Sequence, residues 1–319
     1  MINSIAKEIM KSNNIVITFH TSPDGDSLGS ANALYLGIKS LGKKCEILSK
    51  EKVKEPFSYL SSISNEMEKE KSIPSNEVDL VIVLDCGDVK RINADLDFIN
   101  RKYKIINIDH HMSNEKYGDF NYVDTTAAAV GEIIYKLLKE LKVDITKEMA
   151  ESMYTSILTD TGSFRHSNTT KITHNIAGDI VDTGINFSEI HRKVFDNKTF
   201  EKIKFYGKVI DTMTLECNGN AVFMEITKNM IEELNLQNED TGDVLTFGNK
   251  VNSSDVTVLL KEADEGTKVS LRSKEKLDVR SIAEKFNGGG HIRAAGFLVK
   301  DDIKEIKEKL ISILKEELM

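Results

Sequence analysis

The chain has 319 residues, long enough for two ordinary domains with separate cores. Hydrophobic residues make up 40% and charged residues 29%, an ordinary globular balance, and the formal net charge is -8. That acidity excludes a global positive field for long duplex nucleic acid but leaves room for a short substrate gripped by local cations; two bound divalent ions would offset about four of the negative charges.

In chain order, Ile15 to His20, Val78 to Asp85 and Lys104 to Asp109 are short β-branched apolar runs that end abruptly in polar residues, the pattern of strands buried in a parallel sheet. Ser27 to Leu41, Val130 to Leu141 and Lys147 to Leu158 have apolar residues at helical spacing. This alternation predicts an open α/β sheet with helices on both faces and a ligand site at the carboxyl ends of the strands. Ser188 to Met213 carries helical spacing without strand signals and reads as a connecting helix or helices. Beyond it, strands are predicted over Ala221 to Ile226, Ser254 to Leu260, Lys268 to Arg272 and Ala295 to Val299, with a helix at Val279 to Phe286 and a charged terminal helix. The expected organisation is therefore a mostly parallel N-terminal domain (1–187), a linker helix (188–213) and a smaller α+β domain (214–319). Cys45, Cys86 and Cys217 match no zinc pattern, and with no charged-then-apolar leader and no apolar run of about 18 residues, a cytoplasmic protein without a membrane partner is expected.

The strand ends carry the chemistry. The first runs into His20-Thr21-Ser22-Pro23-Asp24-Gly25-Asp26-Ser27, where Pro and Gly force a tight turn and the two aspartates, two apart, can face different ions. Taken alone, Asp-Gly-Asp is also ordinary turn chemistry, with Ser27 as an N-cap of the next helix. The second strand ends at Asp85, a carboxylate costly to bury without a cation nearby, although a capping or loop carboxylate would read the same; Cys86 reads as a packing residue. The third ends in Asp109-His110-His111, whose adjacent histidines point opposite ways, so one is expected to ligate while the other faces the reacting phosphate or packs behind. Asp160 follows a predicted helix. Five of the seven histidines (His20, His110, His111, His166, His291) fall in these motifs or in two others, described below. Oxygen-rich, thiolate-free ligation with imidazole favours two manganese ions, with magnesium also admissible, and such a pair suits phosphate-ester hydrolysis.

Together these motifs resemble the DHH phosphoesterase superfamily. The match runs from His20-x-x-x-Asp24-x-Asp26 through Asp85, Asp109-His110-His111 and Asp160 to Gly288-Gly289-Gly290-His291 and Ala294-Ala295-Gly296-Phe297, which looks like the DHH-associated substrate domain. The chain looks most like the stand-alone nanoRNase/pAp-phosphatase type. That resemblance implies hydrolysis of very short RNA, of linear dinucleotides such as pApA, or of 3'-phosphoadenosine 5'-phosphate (pAp). It implies one metal on His20, Asp24 and Asp85 and a second on Asp26, Asp85, His110 and Asp160, with Asp85 bridging. Asp109 would orient a neighbouring ligand and His111 would assist catalysis.

On the substrate side, Gly288, Gly289 and Gly290 allow a close backbone approach to phosphate, and His291 can add charge, although a plain helix-ending loop reads the same way. Arg272 would give the bidentate phosphate contact that the family suggests, and Arg165 and His166, just past Asp160, could reach a substrate beside the metals; each could equally be a solvated surface residue. A cleft between two domains would suit a mono- or dinucleotide, and a homodimer is left open. The alternatives are a cyclic dinucleotide phosphodiesterase and a family II inorganic pyrophosphatase, the latter disfavoured by the Gly-Gly-Gly-His loop. A RecJ-like exonuclease would want further DNA-binding modules, and a nucleotide sensor with a dead site would not keep a full ligand set.

Overall fold

Three apolar runs that the sequence marks as strands form the middle of a parallel sheet. The computed structural model describes residues 2–68, 71, 74–75, 77–237 and 241–318. The chain divides into two compact units, Met1–Asn197 and Lys198–Met319.

In the first unit the elements are α1 (Ile2–Lys11), β1 (Asn14–Thr18), α2 (Gly25–Ser40), β2 (Lys44–Ile47), α3 (Ser61–Met67), β3 (Leu80–Leu84), β4 (Lys104–Asp109), β5 (Phe120–Val123), α4 (Val130–Glu140), α5 (Lys147–Asp160), α6 (Lys171–Val181) and α7 (Phe187–His191). The sheet runs β2-β1-β3-β4-β5, and every neighbouring pair is parallel. Central β3 is Leu-Val-Ile-Val-Leu with all five residues buried, as a strand covered on both faces requires. Its alternate residues serve two cores. Ile15, Ile17, Leu80, Ile82, Ile106 and Ile108 pack beneath the helices. Val16, Val81, Val83 and Ile105 pack beneath Cys86, Ile92, Ala94 and Tyr103. Among the described residues, the α-helices of this unit pack on the first of these cores. The connection from β3 to β4 contains a single 3-10 turn, Val89–Arg91, and this irregular segment covers the second face.

Because β1, β3 and β4 run in one direction, the residues that follow them gather on one edge of the sheet. Helices α2 and α5 close on each other beside that edge. A Cβ on Gly29 of α2 would sit 2.3 Å from the Ser152 carbonyl oxygen of α5, so only glycine permits the approach.

The single linking segment expected over 188–213 is divided. After α7 comes a π-helical turn, Arg192–Asp196, within the first unit, and α8 (Phe200–Asp211) begins the second. There follow β6 (Thr214–Glu216), β7 (Ala221–Ile226), α9 (Lys228–Glu233), α10 (Leu245–Asn249), β8 (Val256–Ala263), β9 (Gly266–Ser273), α11 (Val279–Glu284), β10 (Gly289–His291), β11 (Ala294–Val299) and α12 (Ile303–Leu318). The six-stranded sheet has the order β10-β11-β9-β8-β7-β6 and is antiparallel except between β7 and β8. One face packs Phe223, Val258, Leu271 and Phe297 with α11 and α12. On the other, α8 and α10 cover Val222, Met224 and Leu259 of β7 and β8. Among the described residues, no helix is long and apolar enough to cross a membrane.

Candidate active site

Asp24 and Asp26 flank the start of α2 and do different work. Asp24 is the N-cap: its Oδ1 accepts from the Ser27 amide at 3.0 Å, while its own amide donates to Ser27 Oγ at 3.0 Å. Ser27 is therefore the third helical residue of a capping box and not the cap that the sequence suggested, because Asp24, three residues earlier, takes the cap position and its carboxylate accepts the Ser27 amide. Asp26 points inward. Its carboxylate accepts from the Val130 and Gly131 amides at the start of α4, at 2.9 and 3.3 Å, and from Ser156 Oγ at 2.6 Å.

Asp85 follows β3 with a left-handed backbone, φ 51°, a strained conformation for a non-glycine residue. It is 3% exposed, and its Oδ1 has no hydrogen-bond partner among the described residues. One carboxylate oxygen faces each of two histidines: Oδ2 lies 3.3 Å from His20 Nε2, and Oδ1 lies 3.8 Å from His110 Nε2. Both imidazoles are prepared in the same way. His20 Nδ1 donates to the Thr21 carbonyl at 2.8 Å and His110 Nδ1 to the Ala127 carbonyl at 3.1 Å, which leaves each Nε2 as a free ligand atom. His20 Nε2 also approaches Asp24 at 3.6 Å; His110 Nε2 approaches Asp26 at 3.7 Å and Asp160 at 3.4 Å. Two triads result, His20-Asp24-Asp85 and Asp26-His110-Asp160, each with one donor atom per residue inside a 4.8 Å cluster.

Electrostatics oppose this gathering. Burial first, and then the charges of Asp85, Asp160 and Asp24, push the Asp26 carboxyl well above its ordinary value. Burial raises Asp85, against the pull of His20. Burial also brings Asp160 up to about 6, with His110 opposing and Asp85 adding to the rise. Asp160 ends α5, where the helix dipole repels a negative charge. Burial would lower the His20 imidazole, but its hydrogen bonds to Asp24 and Asp85 overcome this and raise it to about 10. Burial would likewise raise Asp24, and His20 with the Ser27 amide holds it at about 2 instead. An unpartnered buried carboxylate oxygen amid mutually repelling acids is what cations relieve, so the residues present fit a metal centre. Cys86 takes no part. Its Sγ donates to the Asp88 carbonyl and burial pushes the thiol up to about 12.

Asp109 is fully buried and holds the His111 imidazole by its side chain and the backbone of both His110 and His111. Its Oδ1 accepts from His111 Nδ1 at 2.7 Å and from the amides of His110 and His111 at 2.7 and 3.2 Å. Burial would raise this carboxyl, yet His111 and Asn114 together hold it below its ordinary value. His111 is about half exposed, and its Nδ1 lies 3.5 Å from Asp85 Oδ1.

Arg165 and His166 are exposed and follow Asp160 through three left-handed residues, Gly162, Ser163 and Phe164. His166 Nδ1 meets the Asp160 carbonyl at 3.3 Å, and Arg165 Nε donates to Gly162 at 2.8 Å. Arg272, Gly288, Gly289, Gly290 and His291 lie in the second unit, where strand pairing gathers them. Arg272 pairs with Ala294, which pairs with His291, and Gly296 pairs with both Ser270 and Gly289. Paired residues share a face. This face of β9, β11 and β10 therefore has a floor of glycine and alanine with Arg272 on one side and His291 on the other. The loop expected at the glycine triplet is partly an edge strand. Sequence reading passed over Asn107 and Asn114, although an asparagine inside the apolar run Ile-Ile-Asn-Ile was a usable sign of a buried polar network.

Residues 14–157 match the family model described as the DHH family, N-terminal domain, and residues 218–318 match the DHHA1 domain. A Thermus thermophilus protein named bifunctional oligoribonuclease and PAP phosphatase NrnA is 31% identical over 309 residues, 95% of this chain and 90% of the relative. A Bacillus subtilis protein of the same name is 30% identical, with 95% of each chain covered. The crystal structure of an exopolyphosphatase-related protein from Bacteroides fragilis superposes with a TM-score of 0.88 at 25% identity, covering 99% of this chain and 96% of that one.

Proposed function

The chain belongs to the DHH family, and from that premise we propose that it is a two-metal phosphoesterase that cuts very short oligoribonucleotides and linear dinucleotides such as pApA and removes the 3'-phosphate of pAp. The observation that carries this reading is the position of Asp85, a member of the first triad that also faces His110 of the second, with one buried oxygen that accepts no hydrogen bond among the described residues.

His20, Asp24 and Asp85 would hold one divalent ion, and Asp26, Asp85, His110 and Asp160 the other. Three carboxylates in the second set beside one imidazole, and no thiolate in either, favour manganese, with magnesium the harder alternative. When bound, such a pair supplies a nucleophilic hydroxide at neutral pH and clamps a phosphoryl group for in-line displacement. The protein's part is positioning. The carbonyls of Thr21 and Ala127 fix the tautomers of His20 and His110, and the amides starting α4 fix Asp26. His111, half exposed and held by Asp109 through Nδ1, would offer its Nε2 to the phosphate and its departing oxygen. In the first unit, Arg165 and His166 beside Asp160 are proposed substrate contacts; in the second, Arg272, Gly288, Gly289, Gly290 and His291 are proposed phosphate contacts over the small-residue floor.

Steady-state kinetics with manganese on pAp, pApA, cyclic di-AMP, pyrophosphate and RNAs of two to five and of about thirty nucleotides test the reading. Preference for pAp and the shortest RNAs is expected. Equal rates on long RNA, or pyrophosphate as the best substrate, would overturn it.

A further inference from the structure

His111 depends on one carboxylate, and that carboxylate in turn depends on a side chain outside the ligand set. Asp109 Oδ1 is occupied by His111 and two backbone amides, while Oδ2 receives Asn114 Nδ2 at 2.5 Å. The second hydrogen of the same amide goes to Asn107 Oδ1 at 2.8 Å, so the donor capacity of Asn114 is spent. Its Oδ1 accepts from the Lys116 amide at 2.7 Å. Asn107 is fully buried within β4, and its Nδ2 donates to the Cys86 carbonyl at 3.2 Å and lies 3.1 Å from the Tyr117 hydroxyl, which itself donates to Cys86 at 2.7 Å. The network is thus anchored in the sheet and ends at the imidazole.

We propose that Asn114 is a positioning residue for His111, acting through Asp109. A buried carboxylate can turn about its terminal torsion, which is broad and two-fold. With Asn114 on Oδ2 and the backbone amides on Oδ1, one orientation satisfies every partner. Asp109 then accepts a fixed hydrogen bond from His111 Nδ1–H, and Nε2 is the atom left to meet substrate. Without Asn114, Oδ2 is buried and unpartnered, the carboxylate has reason to turn, and His111 loses both its fixed tautomer and its fixed ring plane. This inference rests on the phosphoesterase reading in which His111 faces the reacting group.

The test uses the full chain. Asn114→Ala is expected to lower kcat about 10–100-fold, the range seen when outer partners of site residues are removed, with KM for pApA and manganese content within about twofold of wild type. In a His111→Ala background the same change is expected to cost nothing further, because the residue it positions is gone. In metal-free protein, long-range proton–nitrogen NMR of the imidazoles should show His111 as a single Nδ1–H tautomer, and a mixture in Asn114→Ala. Asn114→Ser, which keeps a short donor, should recover part of kcat and serves if the alanine variant does not fold. An unchanged kcat, an equal loss in the His111→Ala background or an unchanged tautomer pattern would each overturn the role of Asn114. Full turnover by His111→Ala alone would instead sink the reading of His111 itself, so the two failures are distinguishable.

Discussion

Asp26, Asp85 and Asp109 are almost sealed inside the first unit, whereas Arg272, Gly289 and His291 line a strand face of the second on which they are half-buried to exposed. The first arrangement concentrates charge that the protein alone does not neutralise. The second offers a floor of small residues with Arg272 at one edge and the His291 imidazole at the other. Buried charge of one sign is suited to holding ions whose positions must not vary, while an open face of small residues is suited to admitting and releasing a ligand. On the proposed reading, chemistry belongs to one unit and recognition to the other, and each variant below damages one side and should spare the other.

The largest effect is expected from Asp85. Asp85→Ala removes the carboxylate that faces both His20 and His110, so turnover should fall by on the order of 10³-fold or more, and elemental analysis should show that neither ion is retained. A variant that keeps one ion and most of its activity would break the bridging role. Asp85→Asn should also raise the melting temperature of the metal-stripped protein while lowering that of the manganese-loaded form, since a buried, mutually repelled charge is removed from the first and a ligand from the second.

The same repulsion gives a pH dependence. Asp26, Asp85 and Asp160 all have folded-state values raised above those of the unfolded chain. In metal-free protein their contribution is fully present below about pH 4 and is lost as the pH rises through the folded values, about 6 for Asp160. Thermal melts of chelated protein should therefore show stability falling from pH 4 toward and beyond pH 6, and saturating manganese should abolish that fall. A metal-free protein that grows more stable over this window would contradict the crowding described here.

How far this was legible in the sequence differs between the units for a physical reason. Parallel strands covered on both faces leave continuous apolar runs, so β1, β3 and β4 and the acids that end them could be read directly. β2 (Lys-Cys-Glu-Ile) and β5 (Phe-Asn-Tyr-Val) are four-residue strands at the two edges of the sheet, too short for their alternation to register. The glycines of β10 carry no strand propensity; pairing with β11 makes them a strand. Which histidine pairs with which aspartate was also beyond the spacing alone. The second histidine of the motif turns to Asp109 because its backbone already donates there, and sequence neighbours point apart.

A smaller effect is expected from Arg272→Ala. Its side chain is half-buried and donates locally only to the Leu271 carbonyl, so its loss should not disturb the sheet. Charge-assisted hydrogen bonds contribute about 1.5–3 kcal/mol, which corresponds to a rise in KM of about 10–100-fold. Manganese content should be unchanged, and a fall in bound metal would erase the division between the units.

The most delicate test uses two neighbouring glycines. A Cβ on Gly288 would lie 2.4 Å from the Gly296 carbonyl oxygen and 2.4 Å from Phe297 Cβ, so Gly288→Ala must push backbone apart and should lower stability by about 1–3 kcal/mol. A Cβ on Gly289 meets nothing within 4 Å, and through its pairing with Gly296 it stands on the same face as Arg272. Gly289→Ala should therefore melt like the wild type, or slightly higher, because it only restricts the unfolded chain. If that face is the floor on which the substrate rests, the added methyl should still raise KM for pApA, by about threefold to tenfold, with kcat at saturation little changed. A Gly289→Ala protein with wild-type KM would mean that the substrate does not lie on this face, whatever Arg272 does.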